Sequence, residues 1–169
     1  QVTYGSVYAQ LVGKPLGDEP LLKVAILHSG LEVQIQSRLA GAYNLPNILA
    51  AVAVGHYFGI DIDTIKAAME QYTPSNSRSQ WLRRGDNEII LDAYNANPTS
   101  MKLALENMAG LPHDNKWLLL GAMKEMGAAS GEEHQALIHQ AEQAGFKNVL
   151  LCGPEFEDTQ HAYRWFPDS

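Results

Sequence analysis

Leu91-Asp92-Ala93-Tyr94-Asn95-Ala96-Asn97-Pro98-Thr99-Ser100-Met101 holds a strand end, a polar loop and a helix start, and its reading decides the fold class. Glu88 to Leu91 before it is a short, mostly apolar run of the kind that forms a buried strand, and Asp92 stands where that strand emerges. Asn97-Pro98 then predicts a helix start, because an Asn side chain caps free backbone N–H groups and Pro at the first helical position has no N–H to lose. Met101, Ala104, Leu105 and Met108 continue at helical spacing until Gly110 and Pro112 stop the helix. Strand, loop and helix in this order place the loop at the carboxyl edge of a sheet, where open α/β folds bind ligands.

Downstream the unit repeats. Trp117 to Leu120 precedes a helix from Gly131, with a capping box expected between Ser130 and Glu133, and Gly145 as its stop. Val149 to Cys152 precedes Gly153-Pro154, and a last strand is expected near Tyr163 to Phe166. Such alternation predicts a parallel sheet of about four strands, beginning with Ile89 to Leu91, joined by right-handed crossovers. The loop Gly121 to Ser130 is longer than a usual βα connection. Lys124 and Glu125 in it either reach a common ligand or are two solvated charges on a surface loop.

Upstream, residues 1 to 40 read as β structure, with strands at Val2 to Tyr4, Val7 to Val12 and Leu21 to His28 and a hairpin turn at Ser29-Gly30. Leu31, Val33 and Ile35 alternate with Glu32, Gln34 and Gln36, the pattern of a half-buried strand. Asn44 is then the expected cap of a helix running to about Phe58 and stopped by Gly59. That helix is apolar nearly all round and is expected to be deeply buried. Asn44 and Asn47 in its first turn are open to two readings. Either one caps and the other faces solvent, or the two amides offer the donor and acceptor that an adenine edge asks for. A second helix starts at Asp61 or Asp63 with Ile62, Ile65, Ala68 and Met69 on one face. Thr73 to Gln80 has the composition of a linker, and Arg78 within it is either an ordinary solvated arginine or a phosphate ligand on a hinge.

The bulk composition narrows the function classes. At 169 residues and 46% hydrophobic, the chain can bury a real core. Twelve Lys and Arg against 19 Asp and Glu give a net charge of -7, which argues against nucleic acid and against an anionic membrane as partner. The single cysteine, Cys152, excludes an internal disulfide framework and suits a reducing cytoplasm. It is expected to pack as a small hydrophobe. No apolar run approaches the roughly 18 residues of a membrane span, so a cytoplasmic location is expected. Neither G-x-x-x-x-G-K-[ST] nor G-x-G-x-x-G occurs. His134 and His139 do not share a helix face, so no zinc site is expected, and His134, in line with Leu137 and Ile138, reads as a hydrogen-bonded packing histidine. The residues alone describe a two-part α/β binding protein with polar loops facing a cleft.

Three stretches together resemble the Mur ligases: Gly41-x-Tyr43-Asn44-x-x-Asn47 before an Ala-rich helix, Asp92-x-Tyr94-Asn95-Ala96-Asn97-Pro98-x-Ser100-Met101, and Gly121-x-Met123-x-Glu125-Met126-Gly127. The likeness runs from Gly41 to about Phe156. The Tyr-Asn-Ala-Asn-Pro version points to the branch that adds D-Ala-D-Ala to UDP-MurNAc-tripeptide, over sister ligases that add another amino acid, or glutamate to folate. The resemblance implies a piece of an ATP-dependent ligase: residues 1–74 as the rear of the central ATPase domain, 75–80 as linker, and 81–169 as a truncated, Rossmann-like C-terminal domain. It further implies that Asn44 and Asn47 hold adenine, Asp92 the ribose hydroxyls and Arg78 the nucleotide phosphates, while Tyr94, Asn95 and Asn97 shape the place where the dipeptide amine arrives. ATP and Mg2+ are the implied cofactors of the whole enzyme, neither held tightly by this piece, and the implied partners are small molecules acting on a monomer. The family's phosphate loop, magnesium ligands and modified lysine are expected upstream of Gln1, and a Lys-Gly-Ser-type segment downstream of Ser169. No catalytic or metal-binding residue is therefore assigned within the chain, which is expected to be inactive alone. The family often has two acids where this chain has Leu91-Asp92, and Gly-Arg where it has Ser77-Arg78. A free-standing adenine-nucleotide-binding or regulatory module is the alternative function.

Overall fold

Alternating apolar side chains at the front of the chain and apolar runs at its back fold into two different kinds of sheet. The computed structural model describes residues 2–7, 9–17, 20–28 and 30–168, and it divides into two compact units, Gln1–Asp92 and Ala93–Ser169.

The first unit carries β1 (Tyr4–Gly5), β2 (Leu11–Gly17), β3 (Leu21–His28), β4 (Leu31–Ala40), α1 (Leu45–Tyr57), α2 (Ile62–Gln71), β5 (Gln80–Arg84) and β6 (Asn87–Leu91). Its strands lie side by side in chain order. β2, β3 and β4 are antiparallel, with Val24 opposite Ile35 and Ile26 opposite Val33, so a single apolar face forms as the alternation predicts. Leu11, Leu22, Val24, Ile26 and Ile35 from that face meet Ile48, Leu49 and Val52 of α1 and Ile65 of α2. The strand expected from Val7 begins instead at Leu11 and runs through Pro15, where the register shifts, since a proline cannot donate to the ladder. Tyr8 and Ser29 lie outside the described residues; the strands flanking the expected Ser29-Gly30 turn pair antiparallel, His28 opposite Leu31.

Two expectations about α1 are corrected. Asn44 precedes the helix but does not cap it, because a 3-10 turn over Ala42–Asn44 already gives it helical angles (φ -82°, ψ -4°). Its side chain bonds elsewhere. Nor is the helix buried all round: Ile48, Leu49, Val52 and Ala53 are covered, whereas Val54, Tyr57 and Phe58 are exposed, because sheet and α2 cover only one side of it. Gly55 allows the approach to α2, since a Cβ there would lie 2.9 Å from Ile65 Cδ1. α2 starts with a working cap, the Asp61 carboxylate accepting from Thr64 N at 2.9 Å.

The strand before Asp92 is also corrected. β6 does not begin the parallel sheet; it pairs antiparallel with β5 in a hairpin, Gln80 opposite Leu91, and β5 touches β4 at Leu39 and Gln80. A tight turn through Gly85 (φ 60°) brings the two strands together with little loop to close, so the nearest neighbour in sequence becomes the partner in space.

The second unit holds α3 (Pro98–Gly110), β7 (Trp117–Gly121), α4 (Ser130–Gln143), β8 (Asn148–Cys152) and β9 (Arg164–Phe166). The three strands are parallel in the order β7, β8, β9, one fewer than expected. Leu118 and Leu120 of β7 and Val149 and Leu151 of β8 share a face with Leu105 of α3 and Leu137, Ile138 and Ala141 of α4. Both helices cover this one face, and Trp117 and Leu119 on the other are exposed. Asn97 and Ser100 form a reciprocal capping box at the start of α3. The box expected at Ser130 and Glu133 does not form, because a 3-10 turn over Gly127–Ala129 runs directly into α4 and Ser130 is already inside it. No helix among the described residues is long and apolar enough to cross a membrane.

Candidate functional site

In the first unit the 3-10 turn before α1 gathers the polar groups. Asn44 is buried, its Nδ2 donating to Ala40 O at 2.8 Å while its Oδ1 accepts from Asn47 Nδ2 at 3.0 Å. Asn47, exposed on the first turn of α1, keeps its Oδ1 and a second amide hydrogen, the acceptor and donor that a base edge pairs with. Tyr43, next in sequence to Asn44, reaches the end of β6 and donates its hydroxyl to Asp92 Oδ2 at 3.0 Å, also lying 3.0 Å from Ser79 Oγ. Asp92 therefore sits in a small network. Its Oδ1 accepts from Ser79 N at 3.2 Å and its Oδ2 from Ser79 Oγ at 3.3 Å. Burial pushes the Tyr43 phenol up from 10.0 to about 12, with the Asp92 charge adding to the rise against a lowering hydrogen bond from Ser79.

Ser79 ties this network to the segment that carries Arg78. It is 4% exposed, and its carbonyl accepts from Ala40 N at 3.1 Å. Ser77 and Ser79 both have left-handed backbones (φ 56° and 49°), a conformation that costs a residue with a Cβ roughly 1 to 2 kcal/mol. The bonds made by Ser79 compensate, and Arg78 is presented, exposed, between the two. Ser77, where the resemblance implies a glycine, has a φ that glycine takes without strain.

The candidates of the second unit lie along the approach to α3 and at the carboxyl ends of β7 and β8. Tyr94 is exposed, Asn95 Oδ1 accepts from Ala96 N at 3.0 Å, and Asn97 spends its Oδ1 on Ser100 N at 2.9 Å. Lys124 is turned toward Glu155, Nζ to Oε1 at 2.6 Å, and this bond holds the Glu155 carboxyl below the usual range. Glu125 is exposed on a left-handed backbone (φ 63°). The loops after β7 and β8 touch: Ala122 N donates to Cys152 O at 2.9 Å, and a Cβ on Gly153 (φ 124°) would lie 2.5 Å from Ala122 Cβ. Tyr43, Ser79 and Glu155 were not among the residues singled out from sequence. Tyr43 stood inside a quoted motif, while nothing in the pattern marked the other two.

The family described as Mur ligase, glutamate ligase domain, matches residues 77–166. The chain belongs to the Mur ligase family. The match takes in Arg78, Asp92 and the second unit, and it starts ahead of β5 and β6 although those strands sit in the first unit's sheet. Among curated relatives, the UDP-N-acetylmuramoyl-tripeptide--D-alanyl-D-alanine ligase of Treponema pallidum is 32% identical over 139 residues, 82% of this chain. The chain spans only 30% of that relative's length. Two solved structures share the fold. MurF from Acinetobacter baumannii has a TM-score of 0.81 at 22% identity over 98% of this chain and 37% of its own. MurF from Thermotoga maritima, solved in complex with ADP, has a TM-score of 0.80 at 21% identity over 96% of this chain and 38% of its own.

Proposed function

We propose that this Mur ligase chain supplies the adenosine-holding and acceptor-side parts of an ATP-dependent peptide ligase. In this reading the reaction adds D-alanyl-D-alanine to UDP-MurNAc-tripeptide during peptidoglycan precursor synthesis, in the cytoplasm. The observation that carries the reading is the 3-10 turn Ala42–Asn44: Asn44 is bonded to Asn47, and the adjoining Tyr43 holds Asp92, so an amide pair and a carboxylate are both held from one turn. That set fits adenosine. The free amide edge of Asn47 matches the donor and acceptor of a base, and a fixed carboxylate accepts from a ribose diol. Arg78 offers a guanidinium to phosphate, where several donors in a fork suit several oxygens. The relative's name supports the peptide substrates, and Tyr94, Asn95, Asn97, Lys124 and Glu125 are the residues we assign to the acceptor side.

Bound ATP would supply a phosphoryl group that turns a peptide carboxylate into an acyl phosphate open to attack by the dipeptide amine. This chain's residues bind and orient; the sequence holds no phosphate loop, and the chain alone does not turn over. Magnesium has no ligand set assigned here.

Millimolar ADP added to the 15N-labelled chain tests the nucleoside site. The side-chain amide signals of Asn44 and Asn47 should shift, and Asp92→Ala should weaken the titration by roughly tenfold or more, the loss of charge-assisted hydrogen bonds. Amide signals unmoved by ADP would reject the adenosine assignment. Release of phosphate by the isolated chain with ATP, UDP-MurNAc-tripeptide and D-Ala-D-Ala would reject the claim that it is inactive alone.

A further inference from the structure

His134 is the most completely enclosed polar side chain of the second unit, with none of its surface exposed, and both ring nitrogens are in use. Nδ1 lies 2.6 Å from Ser130 O, one turn earlier on α4, and Nε2 lies 2.9 Å from Met123 N. A carbonyl only accepts and a backbone N–H only donates. Nδ1 therefore carries the proton and Nε2 is the bare acceptor, a neutral imidazole in a single tautomer. The ring stands edge-on to Phe156, centroids 4.8 Å apart, and Phe156 is itself fully buried in the 3-10 turn that follows β8. One side chain thus joins α4, the loop after β7 and the segment after β8.

We infer that His134 is a positioning residue, whose bare Nε2 fixes the backbone of the loop Ala122–Met126 and so sets where Lys124 and Glu125 are presented. Met123 is the anchor. Its side chain is 1% exposed and its N–H finds its acceptor on His134, so a buried attachment lies directly before Lys124, between the Ala122 N–Cys152 O bond and the Lys124–Glu155 ion pair. Leaving that N–H buried without an acceptor would favour an open loop. What the loop is for rests on the acceptor-side reading above; that His134 holds it does not.

The test uses the 15N-labelled chain. Long-range 1H–15N spectra of the imidazole should show a protonated Nδ1 and an unprotonated, hydrogen-bonded Nε2. Amide exchange at Met123 should be at least about tenfold faster in His134→Leu, which fills a similar volume without an acceptor, and should return toward the parent value in His134→Gln, whose carbonyl oxygen can accept in place of Nε2. A merely packing role would be met equally by leucine and would show no rescue by glutamine. An imidazole protonated on Nε2, or Met123 protection unchanged in His134→Leu, overturns the inference, and the tautomer decides alone if the leucine variant does not fold. Millimolar D-alanyl-D-alanine separates the two readings: the expected result is a shift of the Lys124 and Glu125 amides in the parent and the glutamine variant that is lost in the leucine variant. A dipeptide that moves no signal in the parent, with the tautomer and exchange results as expected, rejects the acceptor reading and supports the positioning role.

Discussion

Replacing Tyr43 with phenylalanine removes one oxygen and leaves the ring. The hydroxyl donates to Asp92 Oδ2 and lies 3.0 Å from Ser79 Oγ, so the substitution strips the carboxylate of one donor and keeps the two from Ser79. The hydrogen bond gives the size of the effect. A hydrogen bond to a charged group contributes about 1.5 to 3 kcal/mol, and the exposed position of Asp92 puts this one at the lower end. The phenol is pushed from 10.0 to about 12 mainly by burial, so that displacement sets the pH range of the effect and not its size at pH 7. The sign follows from linkage. The folded value is raised, so the contribution is complete below pH 10 and is lost as pH rises toward 12. Urea unfolding followed by Trp81 fluorescence, with Trp117 and Trp165 changed to phenylalanine so that only the first unit reports, should place Tyr43→Phe about 1 to 1.5 kcal/mol below the parent at pH 7. The gap should shrink between pH 10 and 12. Equal stability at pH 7, or a gap that stays constant through that window, would refute the network as described.

The left-handed backbone at Ser77 predicts a ranking: Ser77→Gly should be near neutral in thermal unfolding, strain relief offsetting chain entropy, and Ser77→Val should fall about 1 kcal/mol or more below it. Valine matching glycine would contradict the geometry. Gly55→Ala forces a Cβ to within 2.9 Å of Ile65 and should cost about 1 to 3 kcal/mol by urea unfolding, with Ile65→Val in the same chain recovering part of the loss. Asn97→Ala breaks the capping box and should lower the stability of the second unit by about 1 kcal/mol, read from amide exchange in the first turns of α3, whereas Asn97→Asp should retain most of it.

Helix α3 was readable because Asn97-Pro98, the apolar spacing after it and Gly110 all agree, and local chemistry alone sets a helix start. The same reasoning failed at Ser130. A serine with glutamate three residues on satisfies the capping pattern, but whether it is a cap depends on the backbone before it, and a 3-10 turn there extends the helix past the signal. Asn44 failed for the same reason, yet its side chain was put to a different use. The apolar run of β6 marks a strand but not the neighbour it hydrogen-bonds, which the Gly85 turn decides locally. His134 was legible as a packing histidine from its stripe on α4, but its bond to Met123 spans a loop whose path no periodicity encodes. Ser79 was invisible because its role depends on a backbone N–H and a left-handed φ, neither of which its residue type announces.

Asp92 shows how a carboxylate can be both satisfied and available. Its two oxygens offer about four acceptor positions. The described network uses three of them, and unequally: the Tyr43 hydroxyl at 3.0 Å and the Ser79 amide at 3.2 Å set the rotamer, while the Ser79 hydroxyl at 3.3 Å is longest and can turn instead to Tyr43. A vicinal diol needs two acceptor positions. One is open, and the other is gained by rotating the Ser79 hydroxyl onto Tyr43, with no change of backbone and no loss of the two bonds that hold the carboxylate in place. Since the group is solvent-exposed, its charge is not stranded without the diol proposed for it. The strain at Ser77 and Ser79 fits the same logic, because the turn that delivers the Ser79 amide to Asp92 is also the turn that presents Arg78. Carboxylate and cation are then set by one local conformation, so a change that relaxes that turn acts on both at once.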